Sequence, residues 1–258
     1  MKSYDNFGNI VVVRFPQNFK LKDKKKFAEK LLREQKGVRT VLEKKERIKG
    51  RLRKLSTAYI AGENTKEVLY KENGCVFRFN IDKTYFSPRL SNERKEIASK
   101  IKRGDRILVM FAGVAPYSIV IAKLSKAKRV FSNEINREAN RYAELNIKLN
   151  KLKDKIELIN GDIKRLVRTG RIKQKFDVIV MPRPQLKETF LNEAFKLSKK
   201  KTRIYYYGFC KIDEIDSVVE KIKKEARKFK KKIKILKTKK AGELAPCKIR
   251  LRIDFQIV

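Results

Sequence analysis

The chain has 258 residues, enough for one or two domains with a sizeable core, and its 41% apolar and 38% charged content excludes a disordered polymer. Sixty-eight Lys+Arg against 29 Asp+Glu leave a formal charge of +39, more than a solvated surface requires, so the implied partner is a polyanion, most simply a nucleic acid. With no histidine and three dispersed cysteines, a Ser-His-Asp triad and His-ligated metal are excluded and disulfides and zinc are not expected; any general base must be a carboxylate, Tyr, Lys or Cys.

The N-terminus, MKSYDNFGN, does not read as a signal peptide. No apolar run approaches the ~20 residues of a spanning helix, so no membrane is expected and a reducing cytoplasm is the expected compartment. Residues 8–15, GNIVVVRF, read as a strand ended by Pro16. Residues 21–36 read as a basic amphipathic helix with the apolar stripe Leu21, Phe27, Leu31 and Leu32. Val38–Leu42 is a second short strand, and KKERIKGRLRK (44–54) a basic connector. Glu67–Tyr70 and Cys75–Ile81 flank Glu72-Asn73-Gly74, an Asn-Gly hairpin signal. Residues 1–84 thus form a small α+β domain whose positive charge is either a solvated face or an RNA-contacting one.

YFSPRL (85–90) breaks regular structure at Pro88, and a helix over 91–103 follows with Ser91 as a candidate N-cap. Strands are predicted at Ile107–Phe111, Arg129–Glu134, Lys155–Asn160, Phe176–Met181, Arg203–Phe209, Ile233–Thr238 and Cys247–Ile257. Helices fall near 117–126, 137–150, 163–170, 186–199 and 212–231. Five strand–helix units followed by a hairpin through Ala241-Gly242-Glu243 predict an α/β domain over 85–258. Its seven-stranded sheet is parallel except for an antiparallel last strand, the layout of the class I (Rossmann-like) S-adenosylmethionine-dependent methyltransferase domain.

The rest of this domain is organised around DRILVMFAGVAPYS (105–118). A buried strand, a tight turn at Gly113 and an apolar-periodic helix place a loop where parallel sheets bind nucleotide-like ligands. Gly-Val-Ala-Pro lacks the second and third glycines of a pyrophosphate fingerprint, so a cofactor without pyrophosphate fits better. The second strand ends at Glu134, either an acceptor for two ribose hydroxyls or an ordinary capping acid. The third ends in Gly161-Asp162, where the carboxylate can accept from an adenine amino group or cap the next helix. The fourth ends in Met181-Pro182-Arg183-Pro184, whose prolines stop the ladder and stiffen the loop facing the ligand.

The segments ENG (72–74), YFSPRL (85–90), ER (93–94), MFAGVAPYSI (110–119), NEIN (133–136), NIKLNKL (146–152), GD (161–162) and MPRP (181–184) resemble, in order, the archaeal and eukaryotic tRNA (guanine-37-N1)-methyltransferases and their wyosine-pathway relatives. The resemblance implies a cytoplasmic enzyme that methylates N1 of guanosine 37 in the tRNA anticodon loop, with S-adenosylmethionine as cofactor and no evident protein partner. It implies Glu93 as general base and Arg53 as the cation on the guanine oxygen. Phe111, Gly113, Val114, Glu134, Ile135, Asp162, Ile163 and Pro182 would hold the cofactor; Tyr85, Arg89, Arg94, Arg183 and Pro184 would organise the base and tRNA. The chemistry is consistent: guanine N1 is protonated at neutral pH, so it needs a base for the proton and a cation for the charge that develops. The methyl sulfonium is already activated, and no metal is expected.

Departures from the family pattern are Ala115-Pro116-Tyr117 for Gly-Pro-Phe, Arg137 for Pro, and Pro182-Arg183-Pro184 for Asn-Leu-Pro. The last removes an asparagine that touches the target base. It implies room for a bulkier purine, hence a second activity, C7 methylation of 4-demethylwyosine at the same position. The alternatives are an aminocarboxypropyl transferase using the same cofactor and a non-catalytic RNA-binding protein.

Overall fold

The computed structural model describes residues 3–45 and 55–258. The N-terminal sheet contains β1 (Ser3–Asn6), β2 (Ile10–Arg14), β3 (Thr40–Lys44) and β4 (Thr57–Gly62), in that order. The helix α1 (Leu21–Glu34) is the crossover between the parallel strands β2 and β3. In β2, Val11 and Val13 pack with Ala28 and Leu31 of α1, while Ile10 and Val12 turn to the main core beside Phe7 and Phe79. A strand covered on both faces reads as a continuous apolar run, which is why IVVV was legible. The edge strands β1 and β4 carry no comparable run and were not foreseen. Most of the basic connector, including Arg53, lies outside the described residues.

The strands β5 (Glu67–Glu72) and β6 (Cys75–Asn80) form the expected hairpin, with Asn73 and Gly74 at φ 49° and 69° as a two-residue turn of this kind requires. It is tied to α4 (Arg137–Leu149) and the residue after it. Asn146 accepts from the Arg78 amide (2.7 Å) and donates to its carbonyl (3.1 Å). Asn150 does the same at Val76 (2.9 and 2.7 Å). Four residues of helix advance about 6 Å and two of strand about 6.6 Å, so asparagines at i and i+4 match alternate strand residues. NIKLN therefore acts as a substitute strand along the free edge of β6.

The main sheet has the order β12-β13-β11-β10-β7-β8-β9. Its strands are β7 (Arg106–Met110), β8 (Arg129–Glu134), β9 (Ile156–Asn160), β10 (Phe176–Met181), β11 (Ser198–Lys211), β12 (Ile233–Ala245) and β13 (Lys248–Ile257). The strands from β7 to β11 run parallel, and the last strand, β13, is antiparallel to both β11 and β12. The remaining helices are α2 (Ser91–Ser99), α3 (Pro116–Leu124), α5 (Ile163–Arg168), α6 (Leu191–Lys196) and α7 (Ile215–Lys228). The chain leaves β7 for β8 on one side while β10 lies on the other, so the crevice at their carboxyl ends is the topological switch point.

Four local expectations are corrected. The helix starting at 91 stops at Ser99, and its N-cap is Leu90, because a 3-10 turn over Pro88–Leu90 runs straight into it; Ser91 instead accepts from Asn73 Nδ2 (3.1 Å). The helix expected over 186–199 shrinks to Leu191–Lys196, because Arg183 engages the carbonyls of Leu186 and Glu188 and holds the preceding stretch as a loop. The helix expected from 212 begins with a short 3-10 turn, and α7 proper starts at Ile215. The terminal hairpin turns at Pro246-Cys247, between the paired Ala245 and Lys248. Ala241–Glu243 is a bulge in β12 instead, with Gly242 at φ 141°.

Candidate active site

The chain reaches the crevice from β7 through two non-glycine residues in left-handed conformation, Phe111 (φ 60°) and Ala115 (φ 67°), with Gly113 (φ 59°) between them. Such backbone costs energy away from glycine and gathers at functional turns. The turn is fixed by Glu134 at the end of β8. One carboxylate oxygen accepts the Gly113 amide (2.8 Å), and the other accepts the amides of Ile135 and Asn136 (both 2.8 Å). Burial raises the Glu134 pKa above its ordinary value, against the opposing pull of those three amides. Asp162 caps α5 by accepting the Lys164 amide (3.0 Å), so the capping role is one that this carboxylate does perform. Asn133 donates to the carbonyls of Ile159 and Gly161 (2.8 and 3.0 Å) and locks the ends of β8 and β9 together.

The first cavity gathers nine of the expected residues: Tyr85, Phe111, Gly113, Glu134, Ile135, Asp162, Ile163, Pro182 and Pro184. Asn133, Asn136, Gly161, Leu186 and Phe190, which the sequence reading missed, complete much of the wall. Phe190 meets Phe111 edge-to-face at 4.8 Å. Acids at successive strand ends and an apolar slot of Ile135, Ile163, Leu186 and Phe190 fit an adenosyl group: carboxylates for hydroxyl and amino donors, hydrocarbon for the purine faces. Val114 is fully buried and backs the wall, its carbonyl accepting from Asn146 (3.2 Å).

A second cavity shares Tyr85, Phe111, Gly113 and Pro182 with the first and continues to Phe86, Arg94, Tyr117, Arg183, Tyr207 and Arg250. Arg94 is almost fully buried, paired through two nitrogens with Glu72, and stands 5.0 Å from the Phe86 ring. Burial lowers the Arg183 pKa; besides its two loop carbonyls, its guanidinium lies 5.4 Å over Tyr206. Arg250 lies 5.6 Å over Phe209 and forms no ion pair among the described residues.

The structure does not bring every expected residue to these cavities. Arg89 is turned to Asp5 (2.6 Å) at a third cavity, between the N-terminal sheet and the main body. Glu93 is buried on α2 but lines neither of the first two cavities. One oxygen of its carboxylate accepts from the Tyr207 hydroxyl (2.8 Å) and from Arg252, and the other faces Lys239 (3.4 Å). Arg252, itself fully buried, also binds Glu96 (2.6 Å) and Asp254 (2.7 Å). Nothing in the sequence signalled Tyr207, Arg250 or Arg252, because each is one residue of an ordinary alternating strand.

The sheet order, the antiparallel last strand and the paired acids over one cavity define a class I S-adenosylmethionine-dependent methyltransferase. Comparison with known sequences makes this specific: the chain belongs to the TRM5/TYW2 methyltransferase family. Residues 68–236 match the TRM5/TYW2 methyltransferase domain and residues 1–65 the TYW2 N-terminal domain. The tRNA (guanine(37)-N(1))-methyltransferase Trm5b of Pyrococcus abyssi is 34% identical over 99% of this chain and 74% of its own length, and its crystal structure superposes with a TM-score of 0.87. The tRNA (guanine(37)-N(1))/4-demethylwyosine(37)-methyltransferase Taw22 of Nanoarchaeum equitans is 32% identical over 99% of this chain and 100% of its own. Methanocaldococcus jannaschii Trm5 in complex with adenosine superposes with a TM-score of 0.83 at 30% identity, covering 99% of this chain and 74% of that one.

Proposed function

We propose that the protein is a tRNA methyltransferase that places a methyl group on N1 of guanosine 37 and on C7 of 4-demethylwyosine at the same position. The observation that carries this reading is the pair of cavities meeting at Gly113 and Pro182, one suited to adenosyl and one walled by aromatic rings and guanidinium groups. Similarity to the bifunctional Nanoarchaeum enzyme over its whole length supports the two substrates. Bound in the first cavity, S-adenosylmethionine would supply an activated methyl. Glu134 and Asp162 would orient the adenosyl group, and Pro182 and Pro184 would border the path to the acceptor.

Glu93 acts as the base for the N1 proton, and Arg94 and Arg183 shape the base pocket. The N-terminal domain, with a share of the +39 charge, contacts the tRNA. No helix among the described residues is long and apolar enough to cross a membrane, and the cytoplasm is the compartment that this substrate implies. The test is incubation with transcripts bearing guanosine 37 or 4-demethylwyosine, followed by nucleoside mass analysis. One added methyl on each is expected. A much heavier adduct would assign aminocarboxypropyl transfer instead, and no adduct would leave an RNA-binding protein.

A further inference from the structure

We propose that Tyr207 is the group that meets the N1 proton of the purine, and that it hands its own proton to Glu93 in the same step. The proposal rests on the reading of Glu93 as the base and supplies what the geometry withholds from it, a path to the substrate. Tyr207 lines the second cavity and is 1% exposed. Glu93 does not line that cavity; it stands one side chain behind, 2.8 Å from the Tyr207 hydroxyl.

The polarity of that hydrogen bond is correct for transfer. A phenol has one hydrogen and two lone pairs. With the hydrogen committed to the Glu93 carboxylate and the Tyr117 hydroxyl alongside to engage one lone pair, the other lone pair is left to accept a proton from the substrate. Glu93 cannot replace Tyr207 by swinging forward without cost, because the oxygen that accepts from Tyr207 also accepts from Arg252, whose guanidinium is fully buried. Departure would strand that cation beside one fewer carboxylate.

Burial above all, then the neighbouring Tyr117 and Glu93, holds the Tyr207 phenol well above its ordinary pKa. A standing phenolate is therefore absent, and the residue works by exchanging one proton for another. The balance is complete: N1–H breaks as the Tyr207 oxygen gains that proton, the Tyr207 proton moves to Glu93, and the N1 electron pair forms the bond to the methyl carbon. The electrons of the carbon–sulfur bond remain on sulfur as a thioether. Glu93 ends as a neutral acid beside Arg252 and Lys239, and its proton passes to solvent before the next turnover.

The experiment is single-turnover methylation of a guanosine-37 transcript by the full chain and its Tyr207→Phe, Glu93→Gln and doubly substituted forms, with S-adenosylmethionine affinity measured by calorimetry. Each single variant is expected to lose about 100-fold in rate with cofactor affinity unchanged, and the double variant no more than the worse single. A proton inventory in mixed light and heavy water is expected to bow in the unaltered protein, two protons being in flight, and to straighten in Tyr207→Phe. It needs no variant to fold in order to decide. A straight inventory in the unaltered protein, a Tyr207→Phe rate within about 3-fold of normal while Glu93→Gln is slow, or losses that multiply in the double variant would each overturn the relay. A Glu93→Gln form that keeps its full rate would instead remove the reading of Glu93 as the base.

Discussion

Two acids of this protein, the half-buried Glu134 and the buried Glu93, are held by different kinds of structure. Glu134 is fixed by backbone amides 1, 2 and 21 residues away in the chain. Glu93 is fixed by side chains 114, 146 and 159 residues away. The first arrangement follows from how two strands end and survives most changes of side chain around it. The second exists only while each of several distant side chains is present. The first cavity is thus a property of the chain's path, and the surroundings of Glu93 a property of particular residues.

The sharpest way to break this contrast is Arg252→Met. It leaves Glu93, Glu96 and Asp254 crowded without their shared cation and is expected to destabilise the fold by about 3–5 kcal/mol, measured by urea unfolding. A loss below about 1 kcal/mol would show that the cluster is not held by that guanidinium. On the other side, Glu134→Ala is expected to weaken S-adenosylmethionine binding by about 100-fold in calorimetry, since hydrogen bonds to the charged group are lost. Unchanged affinity would detach Glu134 from the cofactor.

A smaller effect comes from Glu96. Burial raises its pKa, but hydrogen bonds from Arg252 and Lys239 outweigh this and hold it at about 2 instead of 4.5. Because the folded value is depressed, its contribution is present above the ordinary carboxyl value and is lost as pH falls from about 4.5 toward about 2. Unfolding followed over that range should flatten in Glu96→Gln; an identical acid limb would assign the loss to other carboxylates. The smallest change is Ala115→Gly. Relief of a left-handed alanine at φ 67° should stabilise by about 1 kcal/mol without altering turnover. A destabilised variant would mean that the methyl group packs better than the backbone suffers.

Much of the first cavity was legible because its residues sit at strand ends, where a run of buried residues stops at a glycine, an acid or a proline. Asn133 and Phe190 were not, since one serves carbonyls of a neighbouring strand and the other enters from a distant loop. The same limit appears in NIKLN. Its helical spacing was visible, but its pairing with β6 depends on a hairpin some seventy residues earlier, 68 and 74 positions from the two asparagines.

By itself, the sequence determined the parallel sheet, its antiparallel end, the turn at Gly113 and the large positive charge. These follow from local periodicity, turn chemistry and charge, which are written within a few residues of each other. Tertiary structure alone decided that Tyr207, and not Glu93, faces the second cavity, and that Arg252 stands behind both. Strand alternation offers two faces to every residue, and only the packing of α2 against β11 and β13 selects which face meets the acids.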